Sequence, residues 1–156
     1  MSFTALDPQN HQGETNVWLT PLPLVRSLGD FDLDPCAFPN HHTAHRLITL
    51  PRNGLVEPWN GRVFLNPPYG KETVRWLEKL YSHGDGIALV FARTDTTWFQ
   101  RHFELASATK FLSGRIKFLN SNFETSSNAG TGSALLAYGR HNARMLRSCD
   151  LKGVVV

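Results

Sequence analysis

Two prolines in succession, Pro67 and Pro68, end whatever regular structure reaches them. Each lacks an N–H and fixes its own φ, and Pro67 also drives Asn66 towards extended backbone. Arg62-Val63-Phe64-Leu65 precede them, an apolar run rich in β-forming residues. After Gly70 comes the stretch 71–84, with Val74, Leu77 and Leu80 or Tyr81 on one helical face and Gly84 at its end. The order is strand, rigid corner, helix. The corner, Asn66-Pro67-Pro68-Tyr69, carries an amide on one side and an aromatic ring on the other.

The same alternation runs through the chain. Thr20 as cap and Pro21 as first residue predict a helix whose apolar residues are Leu22, Leu24, Val25 and Leu28, stopped by Gly29. "FDLDP" (31–35) alternates apolar and acidic residues and predicts a short strand ending at Pro35. "HRLITL" (45–50) reads as a short strand or the end of a helix. "GIALVFA" (86–92) is a nearly continuous apolar run, the mark of a strand buried on both faces. "DTTWFQRHFELA" (95–106) predicts a helix capped by Asp95. "ATKFLSGRIKFL" (108–119) and "GSALLAYG" (132–139) predict two late strands. The polar stretch 120–131 between them has no structural period, and loops of that length are functional or disordered. Strand–helix alternation argues for an α/β sheet with helices on both faces, whose ligands bind at the carboxyl ends of the strands.

Composition narrows the classes. A chain of 156 residues suits one domain, and a net charge of +3 suits a polyanionic partner without requiring one. Two cysteines, Cys36 and Cys149, make no disulfide framework, so a reducing cytoplasm is the default. No apolar run is long enough for a membrane helix. Residues 1–16 show no secretory pattern and read as a flexible polar lead-in to a domain over 17–156. His41, His42 and His45 near Cys36 do not match a common zinc spacing, so no metal is expected and they read as loop histidines. Arg140, Arg144 and Arg147 share one face at helical spacing, a solvated face or a phosphate contact.

The corner has a specific chemical use. An exocyclic aromatic amine such as adenine N6 is a poor nucleophile because its lone pair is delocalised into the ring. Donating both N–H bonds to fixed acceptors favours a more pyramidal, more reactive nitrogen. The Asn66 side-chain carbonyl is one acceptor, and the backbone carbonyl of Pro67, stiffened by Pro68, is a second. The Tyr69 ring offers a face for stacking, worth about 1–3 kcal/mol per base. Asn66 then acts by orientation and electrostatics, without removing a proton before attack. A proline-stiffened turn without chemistry is the plain alternative.

"FLNPPYG" resembles the [DNS]-P-P-[YFW] motif of S-adenosylmethionine-dependent amino-methyltransferases, and "DFDLDPCA" (30–37) is similar to their first cofactor motif. The closer resemblance is to the phage-type DNA N6-adenine methyltransferase (Dam) family. "WLTP", "DPCA", "NGLVEPW", "NPPYG", "RTDTTWF" and "GRIKF" occur in that family's order, over roughly 17–139. The chain departs from the common first motif in having no glycine after Asp34-Pro35-Cys36-Ala37, and Asn53 stands where an acidic residue would precede Gly54-Leu55.

The resemblance implies a single Rossmann-like methyltransferase domain with a mostly parallel sheet and helices on both faces. It implies methyl transfer from S-adenosyl-L-methionine to adenine N6 in DNA, the base being flipped out of the duplex. Asn66, Pro67, Pro68 and Tyr69 would then be the catalytic residues. Trp18, Thr20 and Pro21, with Asp34, Pro35, Cys36 and Ala37, would border the cofactor. For such an activity Arg93, Arg115 and Lys117, with the 93–98 and 120–131 loops and the basic tail, are candidates for DNA contact, Arg115 and Lys117 reading otherwise as a solvated face. It also implies the cytoplasm of a bacterial host, with a phage or prophage origin. An RNA adenine or a protein glutamine amide suits the same corner, and a non-catalytic nucleic-acid binder on a degenerate methyltransferase fold is the remaining alternative.

Overall fold

The computed structural model describes residues 17–126 and 129–156. The expected lead-in, 1–16, lies outside the described residues, as do two positions of the 120–131 loop. The described chain builds one seven-stranded sheet in the order β2-β1-β3-β4-β6-β5-β7. In chain order the elements are α1 (Leu22–Ser27), β1 (Leu33–Asp34), β2 (Arg46–Leu47), β3 (Val63–Leu65), α2 (Thr73–His83) and β4 (Gly86–Phe91). Then come α3 (Thr97–Leu105), β5 (Ala108–Leu112), β6 (Ser133–Tyr138), α4 (Arg140–Ser148) and β7 (Gly153–Val155).

Alternation along the strands sends side chains to two separate cores. On one face Val63, Leu65, Ala88, Val90, Ala134 and Leu136 pack with Trp76, Leu77 and Leu80 of α2 and Phe99 of α3. On the other, Phe64, Ile87, Leu89, Leu135 and Ala137 pack with Val25 of α1 and Ala143 and Leu146 of α4. Every residue of β4 and of β6 is buried, as an unbroken apolar run requires. Burying each large side chain contributes roughly 1.5–3 kcal/mol, which makes these two strands the spine of the fold.

The mixed α/β sheet flanked by helices agrees with the sequence, but the mostly parallel sheet does not. β1 pairs with β2 and β3, and β3 with β4, in parallel. β6 is antiparallel to β4 and β5, and β7 is antiparallel to β5. The two longest ladders, β4–β6 and β5–β6, are antiparallel. The cause is the connection between β5 and β6: its described residues contain no helix, and a parallel neighbour needs a crossover. The chain therefore turns back and β6 slides between β4 and β5. Those two both oppose β6, so β1 to β5 share one direction.

Local expectations are corrected in four places. Thr20 does not cap α1; the N-cap is Pro21, with no side-chain bond. Asp95 does not cap α3; Thr96 does, accepting from Phe99 N at 3.3 Å. β5 stops at Leu112, and 113–118 continues outside any strand, because the end of β5 lies opposite the first residues of β6, which begins only at Ser133. Val74 and Tyr81 are exposed, and Thr73 and Trp76 take their place on the buried face of α2. Among the described residues no helix is long and apolar enough to cross a membrane.

Candidate functional site

The shared direction of β1 to β5 puts their carboxyl ends on one edge. Asp34-Pro35-Cys36-Ala37 leaves β1 there, Asn66-Pro67-Pro68-Tyr69 leaves β3, and Arg93 follows β4. β6 enters the sheet at the same edge, since Ser133 pairs with Phe91. The 113–132 connection therefore also lies along it. Segments read separately in the sequence meet where α/β sheets hold ligands.

At its centre is the Asn66 side chain. Its Nδ2 donates to Trp18 O at 2.7 Å and to Thr20 Oγ1 at 3.3 Å. These two acceptors orient the amide: the nitrogen points at the 17–20 segment and Oδ1 points away. Tyr69 OH reaches Oδ1 at 3.3 Å, a long contact that leaves a second lone pair. Thr20 gives up helix capping for this bond. Pro67 is buried, and Pro68 O accepts from Thr73 Oγ1 at 2.6 Å, so the corner is bolted to the first turn of α2.

The Tyr69 ring is stacked on Phe91, with centroids 4.1 Å apart and planes at 16°. One face is thus covered, and only the other is open to a ligand. Trp18 meets Phe91 and Phe118 edge-on at 6.0 and 5.5 Å, completing an aromatic bed under the corner. Burial pushes the Tyr69 hydroxyl well above its ordinary range, so it stays a neutral donor.

The cofactor residues named from the sequence divide into two groups. Trp18 and Thr20 bond Asn66, and Pro21 follows them as the N-cap of α1. Asp34 is 4% exposed, and its carboxylate is taken up inside the turn, accepting from Cys36 N at 3.0 Å and from Thr43 Oγ1. Burial raises its pKa to about 6 against these two bonds. Ala37 is buried, while Pro35 and Cys36 line a shallow depression open to solvent, of about 190 Å³ with its mouth, walled also by Ile48, Leu50, Arg52, Gly54 and Trp76. Glycine is required at one of these positions: a Cβ on Gly54 would lie 2.0 Å from Pro35 O. The missing side chain lets the 53–57 segment lie directly against the "DPCA" turn.

That segment is anchored by a residue that no sequence pattern singles out. Lys79 Nζ donates to Gly54 O at 3.2 Å, Leu55 O at 2.8 Å and Glu57 O at 2.6 Å. Glu57 pairs with Arg52 and Arg46, and its carboxyl is held below the ordinary range, chiefly by its bonds to Arg52. His41 is buried and its ring nitrogen meets Thr20 O at 2.8 Å; burial lowers its pKa, which fits a neutral ring donating Nε2–H. Among the described residues no cluster of His, Cys, Asp and Glu is placed to hold a metal ion.

The basic residues named for DNA contact are all exposed. Arg93 lies 5.9 Å from the Phe91 ring, beside the aromatic bed. Arg115 and Lys117 alternate with buried Ile116 and Phe118 along the 113–119 segment. Arg140, Arg144 and Arg147 share the exposed side of α4.

A family model described as DNA N-6-adenine-methyltransferase (Dam) matches residues 8–150. No curated protein and no solved structure matches the chain.

Proposed function

The chain belongs to the DNA N-6-adenine-methyltransferase (Dam) family, and we propose that it transfers a methyl group from S-adenosyl-L-methionine to N6 of an adenine extruded from DNA. The observation that carries this reading is the orientation of Asn66. With Nδ2 committed to Trp18 O and Thr20 Oγ1, Oδ1 is a fixed acceptor with a lone pair to spare. Pro67 O is the second acceptor. An amine that donates one N–H to each loses conjugation with its ring and presents its lone pair along one direction. These acceptors cost no reorganisation at the moment of reaction, because distant segments already hold them. The product amine releases its extra proton to solvent, an amide being far too weak a base to take it.

When bound, S-adenosylmethionine supplies an electrophilic methyl carbon on a sulfonium sulfur, which keeps the C–S electron pair as a thioether. Pro35 and Cys36, in the depression that is apolar at Ile48 and Leu50, would border the flat nucleoside part of that molecule. Trp18, Thr20 and Pro21 would border its methionine end. Asp34 would act at one remove, by shaping the turn. Arg93, Arg115 and Lys117, on the same edge, would contact phosphates. The common direction of β1 to β5 and the helices on both faces support a Rossmann-like methyltransferase domain over 17–156, preceded by the lead-in 1–16. Cys36 and Cys149, which form no disulfide, suit the cytoplasm of a bacterial host, in a phage- or prophage-encoded protein.

The test is Asn66→Ala, assayed with labelled cofactor on DNA, RNA and protein substrates. Turnover on DNA is expected to fall by about 10²–10³-fold, as when one preorganised donor or acceptor is removed from an active site. Binding of S-adenosylhomocysteine, read by calorimetry, is expected to persist. Turnover within a few-fold of wild type would remove Asn66 from the mechanism, and labelling of RNA or protein in preference to DNA would reassign the substrate.

A further inference from the structure

Phe123 is an exposed aromatic side chain held in a backbone conformation that bulky residues avoid. Its φ is 61°, in the left-handed region where a side chain meets the following carbonyl. The residue is 43% exposed. The turn that carries it is tightly made: Asn120 Oδ1 accepts from Asn122 N at 2.9 Å and Glu124 N at 3.1 Å, and Phe123 N donates to Asn120 O at 2.9 Å. Leu119 pairs with Thr125 across the turn and with Leu19 on its other side. The turn therefore projects from the segment beside Trp18 and Thr20, the two residues that orient Asn66. Strain and exposure together cost free energy, and residues kept in such conformations gather at ligand clamps.

The ring is also backed. Phe38 meets it edge-on at 6.0 Å, and the His41 ring lies 5.9 Å away at 36°. His41 in turn bonds Thr20 O, and Thr20 Oγ1 bonds Asn66. The path from the Phe123 ring to the amine acceptor thus passes through two residues. An aromatic held from behind and open in front is a platform for a flat partner. Tyr69 offers at most one face, because Phe91 covers the other, so it stacks one base and not two.

We propose that Phe123 is a base-stacking residue, on which a nucleobase of the substrate strand rests while the target adenine occupies the Asn66 corner. The assignment rests on the DNA-methyltransferase reading. Stacking of this kind is sequence-tolerant, since every base has a π-face, and it holds a strand whose bases have left the duplex. It adds to phosphate contacts from Arg93, Arg115 and Lys117 an apolar contact that salt does not screen.

Four proteins decide the matter: wild type, Phe123→Ala, Phe123→Leu and Phe123→Trp, each checked for folding by circular dichroism. Their kinetics are measured on plasmid DNA and their S-adenosylhomocysteine affinity by calorimetry. The alanine and leucine variants are expected to raise the KM for DNA about ten-fold or more, with cofactor affinity unchanged. The tryptophan variant is expected near wild type, and its added indole emission is expected to be quenched by DNA beyond the quench in wild type. Leucine keeps the bulk and loses the π-face, so a leucine variant equal to wild type overturns the proposal even if the alanine variant does not fold. So does a tryptophan variant with neither rescue nor quench. A wild-type protein that methylates RNA or protein and not DNA overturns the parent reading with it. Normal DNA methylation with unaltered variants overturns the stacking role alone.

Discussion

Asn66 lies at the carboxyl edge of the sheet and Asn142 at the opposite edge, and each amide is fixed by partners far away in the chain. Asn142 is 0% exposed. It donates to Asp85 Oδ1 and to Tyr138 O, both at 2.8 Å, and accepts from Arg62 Nε at 2.6 Å. Arg62 also donates to Asp30 O at 3.0 Å and lies over the Phe31 ring at 4.2 Å. The network ties the starts of β1, β3 and β4 to α4. The donors are used in the same way in both asparagines; the oxygens differ. Asn142 Oδ1 is taken by a short bond from a buried guanidinium, Asn66 Oδ1 only by a long contact with a phenol. A filled acceptor makes a structural fastening, and an acceptor left partly open makes a site.

The comparison breaks most sharply if the two asparagines fail to separate activity from stability. Asn66→Ala is expected to lower turnover by about 10²–10³-fold, equivalent to roughly 3–4 kcal/mol of transition-state stabilisation, with a small change in melting temperature. Asn142→Ala is expected to do the reverse. It strips partners from a buried guanidinium and a carboxylate, at about 3 kcal/mol, or about 10 °C in melting temperature for a chain of this size. Its kcat per folded molecule should match wild type, and a large fall in kcat without a fall in melting temperature would undo the contrast.

Asp34 tests whether the site edge is less stable for functional reasons. Burial raises its pKa from 3.8 to about 6, so between those values the folded state holds the proton more tightly than the unfolded chain. The stability associated with protonation is full below about pH 4 and is lost as pH rises through 6. Asp34→Asn is expected to gain on wild type between pH 4 and pH 7.5, by at most about 3 kcal/mol, read from urea midpoints. Equal pH dependence in both proteins would show that the carboxylate is not penalised. The smallest effect is expected at Lys79. Lys79→Met is expected to cost about 1–2 kcal/mol and to weaken S-adenosylhomocysteine binding, because the Gly54 segment would drift from Pro35. Unchanged binding would make that lysine a fastening only.

Much of the candidate site was legible because its parts are local. The Pro67-Pro68 corner constrains its own backbone whatever surrounds it, and its place between β3 and α2 follows from neighbours within a few residues. Gly84 ends α2 in the left-handed conformation that glycine tolerates, as read from the pattern. The direction of β6 was not legible. An apolar run shows that a strand is buried, not which way it points, and only the missing crossover helix decides that. Lys79, Thr43 and Phe123 were missed because nothing in a lysine on a helix, a threonine in a loop or a phenylalanine among polar residues marks its partner.

The sequence by itself determined the rigid corner, most of the order of strands and helices as far as β6, and the motif succession that marks the family. Those are properties of backbone sterics and local periodicity. Tertiary structure alone decided which way the Asn66 amide faces, which Tyr69 face stays open and which asparagine is closed. Each depends on hydrogen bonds or ring contacts between residues tens of positions apart, and such pairs leave no periodic trace in a single chain.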